Sequence, residues 1–87
     1  MGERELKEVG IVIHYFLKIG VAIVELSDTL SMGDRILIKG MTTNVEQSVD
    51  SMQIEHANVK KAETGESIGL KVSDRVREGD TVYKIIQ

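Results

Sequence analysis

His14 and His56 are the residues of this 87-residue chain best suited to bind a metal, because imidazole nitrogens are common ligands of Zn²⁺. His14 lies in an apolar segment, where packing explains it, and His56 lies in a connecting segment. Neither belongs to a His-rich or acid-rich cluster, and the chain has no cysteine. The sequence therefore predicts no metal and no other cofactor.

The sequence has no convincing arrangement of catalytic residues. Gly65-Glu66-Ser67-Ile68-Gly69 has the Gly-x-Ser-x-Gly spacing, but Ser67 begins a predicted strand, whereas a nucleophile elbow joins a strand to a helix. There is no His-x-x-x-His pair. Asp34, Glu66 and Asp80 stand where carboxylates cap turns, which favours a structural role over proton transfer. No Gly-x-x-x-x-Gly-Lys-Ser/Thr loop is available to hold a nucleotide phosphate. We therefore expect neither an enzyme nor a nucleotide-binding protein.

Four basic residues form a candidate nucleic-acid site. Arg35 and Lys39 should share the outer face of one strand, and Arg75 and Arg77 lie beside the last turn. The net charge of −3 and the few aromatics, one Phe and two Tyr, argue against this role. On composition alone, solvated side chains balanced by nearby acids are the better interpretation.

Exposed apolar residues offer a second candidate site, for protein. The first apolar segment has bulky residues on both faces, and Leu37 and Met41 are expected to point outward. Such a patch usually marks an interface, either with a partner protein or with a second copy of the chain. The alternative is that packing and the N-terminal segment cover these side chains.

Three similar turns must position these candidates. Each has a glycine, an acid, a spacer and then a β-branched residue, as in Gly33-Asp34, Gly65-Glu66 and Gly79-Asp80. Glycine takes the positive φ that other residues resist, and the carboxylate can cap backbone N–H groups. The pattern predicts strands that follow closely spaced turns.

Alternating apolar runs predict six strands, at 8–16, 21–26, 35–39, 45–54, 67–72 and 81–86. In the first, Val9, Ile11, Ile13 and Tyr15 are expected on one face. A β-bulge near Asp50 would bring both Val49 and Met52 into the core. We predict an all-β, small closed six-stranded Greek-key-like barrel over residues 8–87, preceded by a flexible segment at 1–7.

Cysteine-free composition and an acidic N-terminus that lacks a basic signal region predict a cytoplasmic protein. The apolar stretch 9–26 contains His14, Lys18 and Glu25, so we expect strands there and no membrane association.

The order of these features resembles the second domain of translational GTPases, the barrel of elongation factor Tu type. That family's Gly-Asp turn, V-x-x-M strand, A-x-x-G-[DE] turn and closing R-G-D-type turn correspond here to 31–34, 49–52, 62–69 and 77–82. The resemblance extends over roughly 9–84 and implies a barrel with an RNA or ribonucleoprotein partner.

The chain is also similar to the C-terminal barrel of peptidase-U32-type proteins. The segments that carry this resemblance are HYFLKIGVA at 14–22, GMTT at 40–43 and SMQ at 51–53. In that family the catalytic parts lie outside the barrel, and several members are implicated in RNA modification. The resemblance implies an accessory module.

Together these observations predict a stand-alone, non-catalytic binding module in translation or RNA metabolism, which binds RNA through Arg35, Lys39, Arg75 and Arg77. The alternative is a protein–protein adaptor or accessory barrel that docks on a separate enzyme, or a homodimer, through Leu37 and Met41.

Overall fold

A computed structural model describes residues 4–86, which contain ten β-strands and no helix. The all-β prediction is therefore confirmed for this range. The strands are β1 Leu6–Phe16, β2 Val21–Leu26, β3 Leu30–Ser31, β4 Arg35–Lys39, β5 Asn44–Ser48, β6 Met52–Ile54, β7 Ala57–Asn58, β8 Lys61–Ala62, β9 Ser67–Lys71 and β10 Thr81–Ile85.

Eight strands form one antiparallel sheet in the order β5-β4-β10-β1-β2-β9-β6-β7, and β3 pairs with β8. The last strand, β10, thus lies between β1 and β4. Within residues 4–86 no backbone ladder joins the edge strands β5 and β7. The predicted closed barrel of six strands is not confirmed, because short strands such as β3 and β7 raise the count and the ladder stays open.

The core consists of apolar side chains from both halves of the sheet, and most of the predicted core residues are in it. Leu30, Ile36, Ile38, Ile68 and Leu70 are each at most 1% exposed. The expected strand 45–54 is divided into β5 and β6, and both Val49 and Met52 are buried. The interruption accounts for their difference in parity without a bulge inside one strand.

Two β-bulges in β1 change which of its residues face the core. The register shifts between Glu8 and Gly10 against β10, and between Val12 and His14 against β2. Each bulge adds one residue to the strand and so reverses the alternation of side chains beyond it. The predicted grouping of β1 was therefore wrong: Val9, Val12 and Tyr15 pack on the core, whereas Ile11 and Ile13 are exposed.

Residues 1–3 of the predicted N-terminal segment 1–7 lie outside the described part of the chain, as does Gln87. Within the described part, Arg4 contacts Glu46, and Leu6 and Lys7 pair with β10. Flexibility of the segment stays a prediction. Between residues 4 and 86 there is no helix of the length and apolarity needed to span a membrane. A cytoplasmic location also stays a prediction.

The three Gly-acid patterns form turns of one shared geometry. Gly33, Gly65 and Gly79 have φ values of 89°, 91° and 93°. In each turn the carboxylate accepts a hydrogen bond of 2.7–2.9 Å from the N–H three residues before it. In each turn the glycine N–H also donates to the carbonyl of one buried residue elsewhere in the chain, and the carbonyl of the acidic residue accepts that residue's N–H. The buried residue is Val49 for the first turn, Leu26 for the second and Val12 for the third. Every turn is thus fixed to the core by backbone bonds.

A side-chain amide spans the gap beside edge strand β5. Gln47 Nε2 donates to the Lys71 carbonyl at 2.9 Å, and the Ser73 N–H donates to Gln47 Oε1 at 2.7 Å. Gln47 pairs with the buried Ile36, so its side chain leaves β5 on the core side of the sheet. The amide therefore joins β5 to the segment after β9, where no ladder does so.

Candidate functional site

The four basic residues predicted to bind nucleic acid do not form one site. Two stand at opposite ends of β4, and the other two lie in the segment between β9 and β10. Arg35 is held by Glu46 at 3.4 Å and by the Ser48 hydroxyl at 3.2 Å. Lys39 stands at the other end of the same strand, about 13 Å away at the usual rise per residue. Arg35 is therefore neutralised locally and does not join Lys39 in one site.

Arg75 and Arg77 do line one cleft of about 360 Å³, opposite the residues that follow β4. Thr42, Thr43 and Asn44 form the other wall of the cleft. Neither arginine side chain forms an ion pair within the described residues. The structure thus brings two of the four predicted residues together in a polar cleft.

Leu37 and Met41, the predicted protein-binding residues, differ in exposure. Met41 is fully exposed in the loop after β4, but only 6% of Leu37 is exposed, so the prediction that Leu37 presents a surface was wrong. Leu37 does point away from the main core, on the opposite side from Ile36 and Ile38. Its cross-strand neighbours Glu46 and Tyr83 stand on the same face and flank it.

A contiguous apolar surface lies on the outer side of β1 and β2 instead. We call it the apolar face and define it by Ile11, Ile13 and Phe16 of β1, Val21 and Ile23 of β2, and Leu17 and Ile19 of the connecting turn. The five residues from β1 and the turn are each more than 40% exposed. The cross-strand pairs Phe16–Val21 and His14–Ile23 show that these side chains share one side of the sheet. The apolar character of both faces of the first segment was the sequence signal for this surface.

His14 lies at the margin of the apolar face and has a defined environment. Its Nδ1 is 3.0 Å from Glu78 Oε2, and its ring meets the Phe16 ring edge-on with centroids 4.4 Å apart. His56 belongs to the turn between β6 and β7. In the part of the chain from residue 4 to 86, no three potential metal ligands converge. The histidine pair considered for a metal is therefore separated into two different structural settings.

A groove of about 370 Å³ runs from the apolar face toward the β6–β7 turn. Its walls include Phe16, Ile19 and Ile23, and its rim includes Glu55 and His56. Gly69 of β9 lies in its floor, directly between Ile23 and Gln53 in the sheet. Sequence analysis missed this groove, although a lone glycine inside an alternating strand is a recognised sign of close approach by another group.

The chain is similar in sequence to parts of much longer proteins. It is 49% identical to an uncharacterized protease of Methanocaldococcus jannaschii over 77 residues, which make up 87% of this chain and 19% of that protein. It is 40% identical to a collagenase of Porphyromonas gingivalis over 83 residues, which make up 93% of this chain and 23% of the collagenase. The chain therefore spans about a fifth of the length of the curated relatives it matches. No protein-family model matches it.

Solved structures with the same fold come from a U32 peptidase of Geobacillus thermoleovorans. The C-terminal domain of that protein aligns with a TM-score of 0.84 and 20% identity, over 90% of this chain and 91% of the domain. Its selenomethionine variant aligns with a TM-score of 0.82 and 19% identity, over 87% and 96% of the two chains. At this level of identity the likeness shows the fold alone.

These comparisons correct the functional prediction. The relatives are named as a protease and collagenases, which contradicts the predicted role in translation or RNA binding. The resemblance to the barrel of elongation factor Tu is not confirmed, and the fold that is shown is that of a U32 peptidase C-terminal domain.

Proposed function

We propose that this chain is a non-catalytic accessory domain that docks through its apolar face on a catalytic part of the protease class. The observation that carries the proposal is the apolar face itself, whose exposed side chains lie on one side of β1 and β2. Exposed patches of this kind mark interaction surfaces in proteins. The relatives supply the partner class, because the matched segment is about a fifth of proteins named as proteases.

The contacts of the candidate catalytic residues support a non-catalytic role. Within residues 4–86, neither histidine hydrogen-bonds to a serine, and His14 pairs with Glu78 at the surface. Asp34, Glu66 and Asp80 each accept a backbone N–H of their own turn. These carboxylates are engaged in structure, so peptide hydrolysis would be performed by the partner.

Burial of the apolar face would supply the binding energy. Removing apolar surface from water contributes about 25 cal/mol per Å², and aromatic residues commonly dominate interface energetics. Phe16 is the aromatic residue of this face and is held by the His14 ring. We therefore expect Phe16 to be an energetic centre of the interface.

A capture experiment tests the proposal. The tagged chain would be cross-linked in a lysate of its native host, and captured proteins would be identified by mass spectrometry. We expect a protein of the protease class, and Phe16→Asp should reduce its yield about tenfold or more. Met32→Asp is a matched control, because Met32 is 41% exposed against 44% for Phe16 but lies in the turn before β4.

Two outcomes would contradict the proposal. Equal capture by Phe16→Asp and Met32→Asp would show that the apolar face is not the docking surface. Capture of only a second copy of this chain, with a dimer seen by sedimentation, would replace the protease-class partner with self-association.

A further inference from the structure

We infer that the groove over Gly69 receives a bulky apolar side chain from an extended segment of the docking partner, with a lysine or arginine beside it that pairs with Glu55. This inference rests on the proposed docking function and names the kind of segment that binds. Three features of the groove carry it: an unfilled floor, a strained rim and an incompletely paired strand.

The floor of the groove is open because position 69 has no side chain. A Cβ built on Gly69 would lie 3.5 Å from Val21 Cγ1 and 4.0 Å from Ile23 Cδ1, which is ordinary van der Waals contact. The packing of the domain itself therefore does not require glycine here. Glycine inside a strand is destabilising relative to alanine, because it loses more conformational freedom on folding. A depression kept open at that cost fits a site that another group enters.

The rim is formed by a two-residue turn in an unfavourable conformation. Glu55 and His56 have φ values of 50° and 67°, and they connect the paired residues Ile54 and Ala57. Turns with two positive φ values normally contain Asn and Gly. Backbone strain of this kind concentrates at ligand-binding sites. The sequence thus retains a charged residue and an imidazole at the rim where less strained residues would serve the turn.

β9, the strand in the floor of the groove, pairs with β6 over only part of its length. β6 pairs with β9 at Met52–Leu70 and Gln53–Gly69, whereas β9 begins at Ser67. In the described part of the chain, Ser67 and Ile68 have no strand partner on this side. An extended segment can lie along such an edge and place alternate side chains into a pocket.

Charge determines the residue expected beside the apolar anchor. The Glu55 carboxylate is exposed and forms no ion pair within residues 4–86. The walls below it are apolar. An extended segment with a Phe or Leu flanked by Lys or Arg is complementary to the apolar walls and to the Glu55 carboxylate.

The test is a titration of the ¹⁵N-labelled chain with a short peptide that has a central Phe flanked by Lys, followed by NMR. We expect amide shifts concentrated at Ile23, Gln53, Glu55 and Gly69. Replacement of the peptide's Phe by Ala should weaken binding about tenfold or more. Gly69→Leu should fill the groove and weaken binding to a similar extent, while Lys39→Leu, which places a leucine at an exposed end of β4 away from the groove, should leave it unchanged.

Charge reversal provides a second arm that does not depend on the folding of Gly69→Leu. Glu55→Lys should weaken binding of the Lys-flanked peptide and improve binding of a Glu-flanked one. Absence of shifts at the groove, or equal binding of the Phe and Ala peptides, would overturn the inference. In the capture experiment, normal partner recovery by Gly69→Leu would overturn the inference while leaving the docking function intact. Peptide binding without any captured partner would support the peptide-binding groove and contradict the docking function.

Discussion

At the scale of single residues, the β6–β7 turn is where sequence and backbone conflict most. Glu55 and His56 adopt positive φ values although neither is glycine, asparagine or aspartate. The Cβ atom makes this region unfavourable for most L-residues. The turn is held in place because Ile54 and Ala57 pair on either side of it. The strain of the turn is therefore offset by the pairing of β6 with β7.

Relief of this strain gives a stability prediction. His56→Gly is expected to raise the free energy of unfolding by about 1 kcal/mol, because glycine adopts a positive φ without steric conflict. Urea unfolding monitored by circular dichroism would measure the change.

Lys60→Gly is the matched control, because Lys60 is also exposed but has no positive φ. Its replacement by glycine should leave stability unchanged or lower it slightly. If His56→Gly were no more stable than Lys60→Gly, the turn would not be strained in solution.

At the scale of the elements, the sequence predicted what depends on local chemistry. The Gly-acid turns were predictable, since a glycine at positive φ and a carboxylate cap are properties of a few adjacent residues. The core alternation of β4 and β9 was predictable for the same reason. The faces of β1 were not, because its bulges depend on the strands that it pairs with. The sequence indicated apolar residues on both faces of β1, but the structure was needed to identify Ile13 and Phe16 as the exposed ones.

The hydrogen bonds between Gln47 of β5 and the segment after β9, which we call the seam, could not be predicted from the sequence either. Gln47 lies two residues after the buried Val45 and so shares its core-facing side of β5, but nothing in the local sequence shows what its amide bonds. Its importance arises from two backbone groups, at Lys71 and Ser73, that are distant in sequence. Only the assembled sheet brings these groups within reach of one amide.

Removal of this amide gives a prediction at the same scale. Gln47→Ala should lower the free energy of unfolding by about 1–2 kcal/mol, because the two hydrogen bonds that join β5 to the segment after β9 are lost where no ladder replaces them. Amide hydrogen exchange should accelerate at Ser73, whose N–H loses its acceptor. Gln53→Ala is a suitable control, since the Gln53 side chain bonds only the Asn58 side chain in the described structure. Unchanged exchange at Ser73 would contradict the proposed role of the seam.

At the scale of the whole molecule, an ion-pair cluster connects the N-terminal residues to the β4–β5 hairpin. Glu46 lies 2.6 Å from Arg4 and 3.4 Å from Arg35. The hydrogen bond from Arg4 holds the pKa of the Glu46 carboxyl below its usual value, and Arg35 acts in the same direction. A carboxyl with a lowered folded-state pKa stabilises the fold above its unfolded-state pKa. That contribution is lost as the pH falls through the folded-state pKa.

The cluster therefore predicts part of the acid sensitivity of the domain. Between about pH 6 and about pH 3, Glu46→Gln should lose less stability than the wild type, as measured by urea unfolding at each pH. Arg4→Gln should flatten the profile in the same way, and the double variant should add little to either single change. A wild-type profile retained by Glu46→Gln would exclude Glu46 as a source of the acid sensitivity.

The position of β10 has a consequence for synthesis on the ribosome. β10 is translated after the nine other described strands, yet β1 and β4 both pair with it and the turn before it binds Val12. The nascent chain therefore presents two unpaired strand edges until Thr81–Ile85 has been made, and such edges promote aggregation. Completion of this domain during translation must wait for its last strand, and the interval before it is when a chaperone would be of most use.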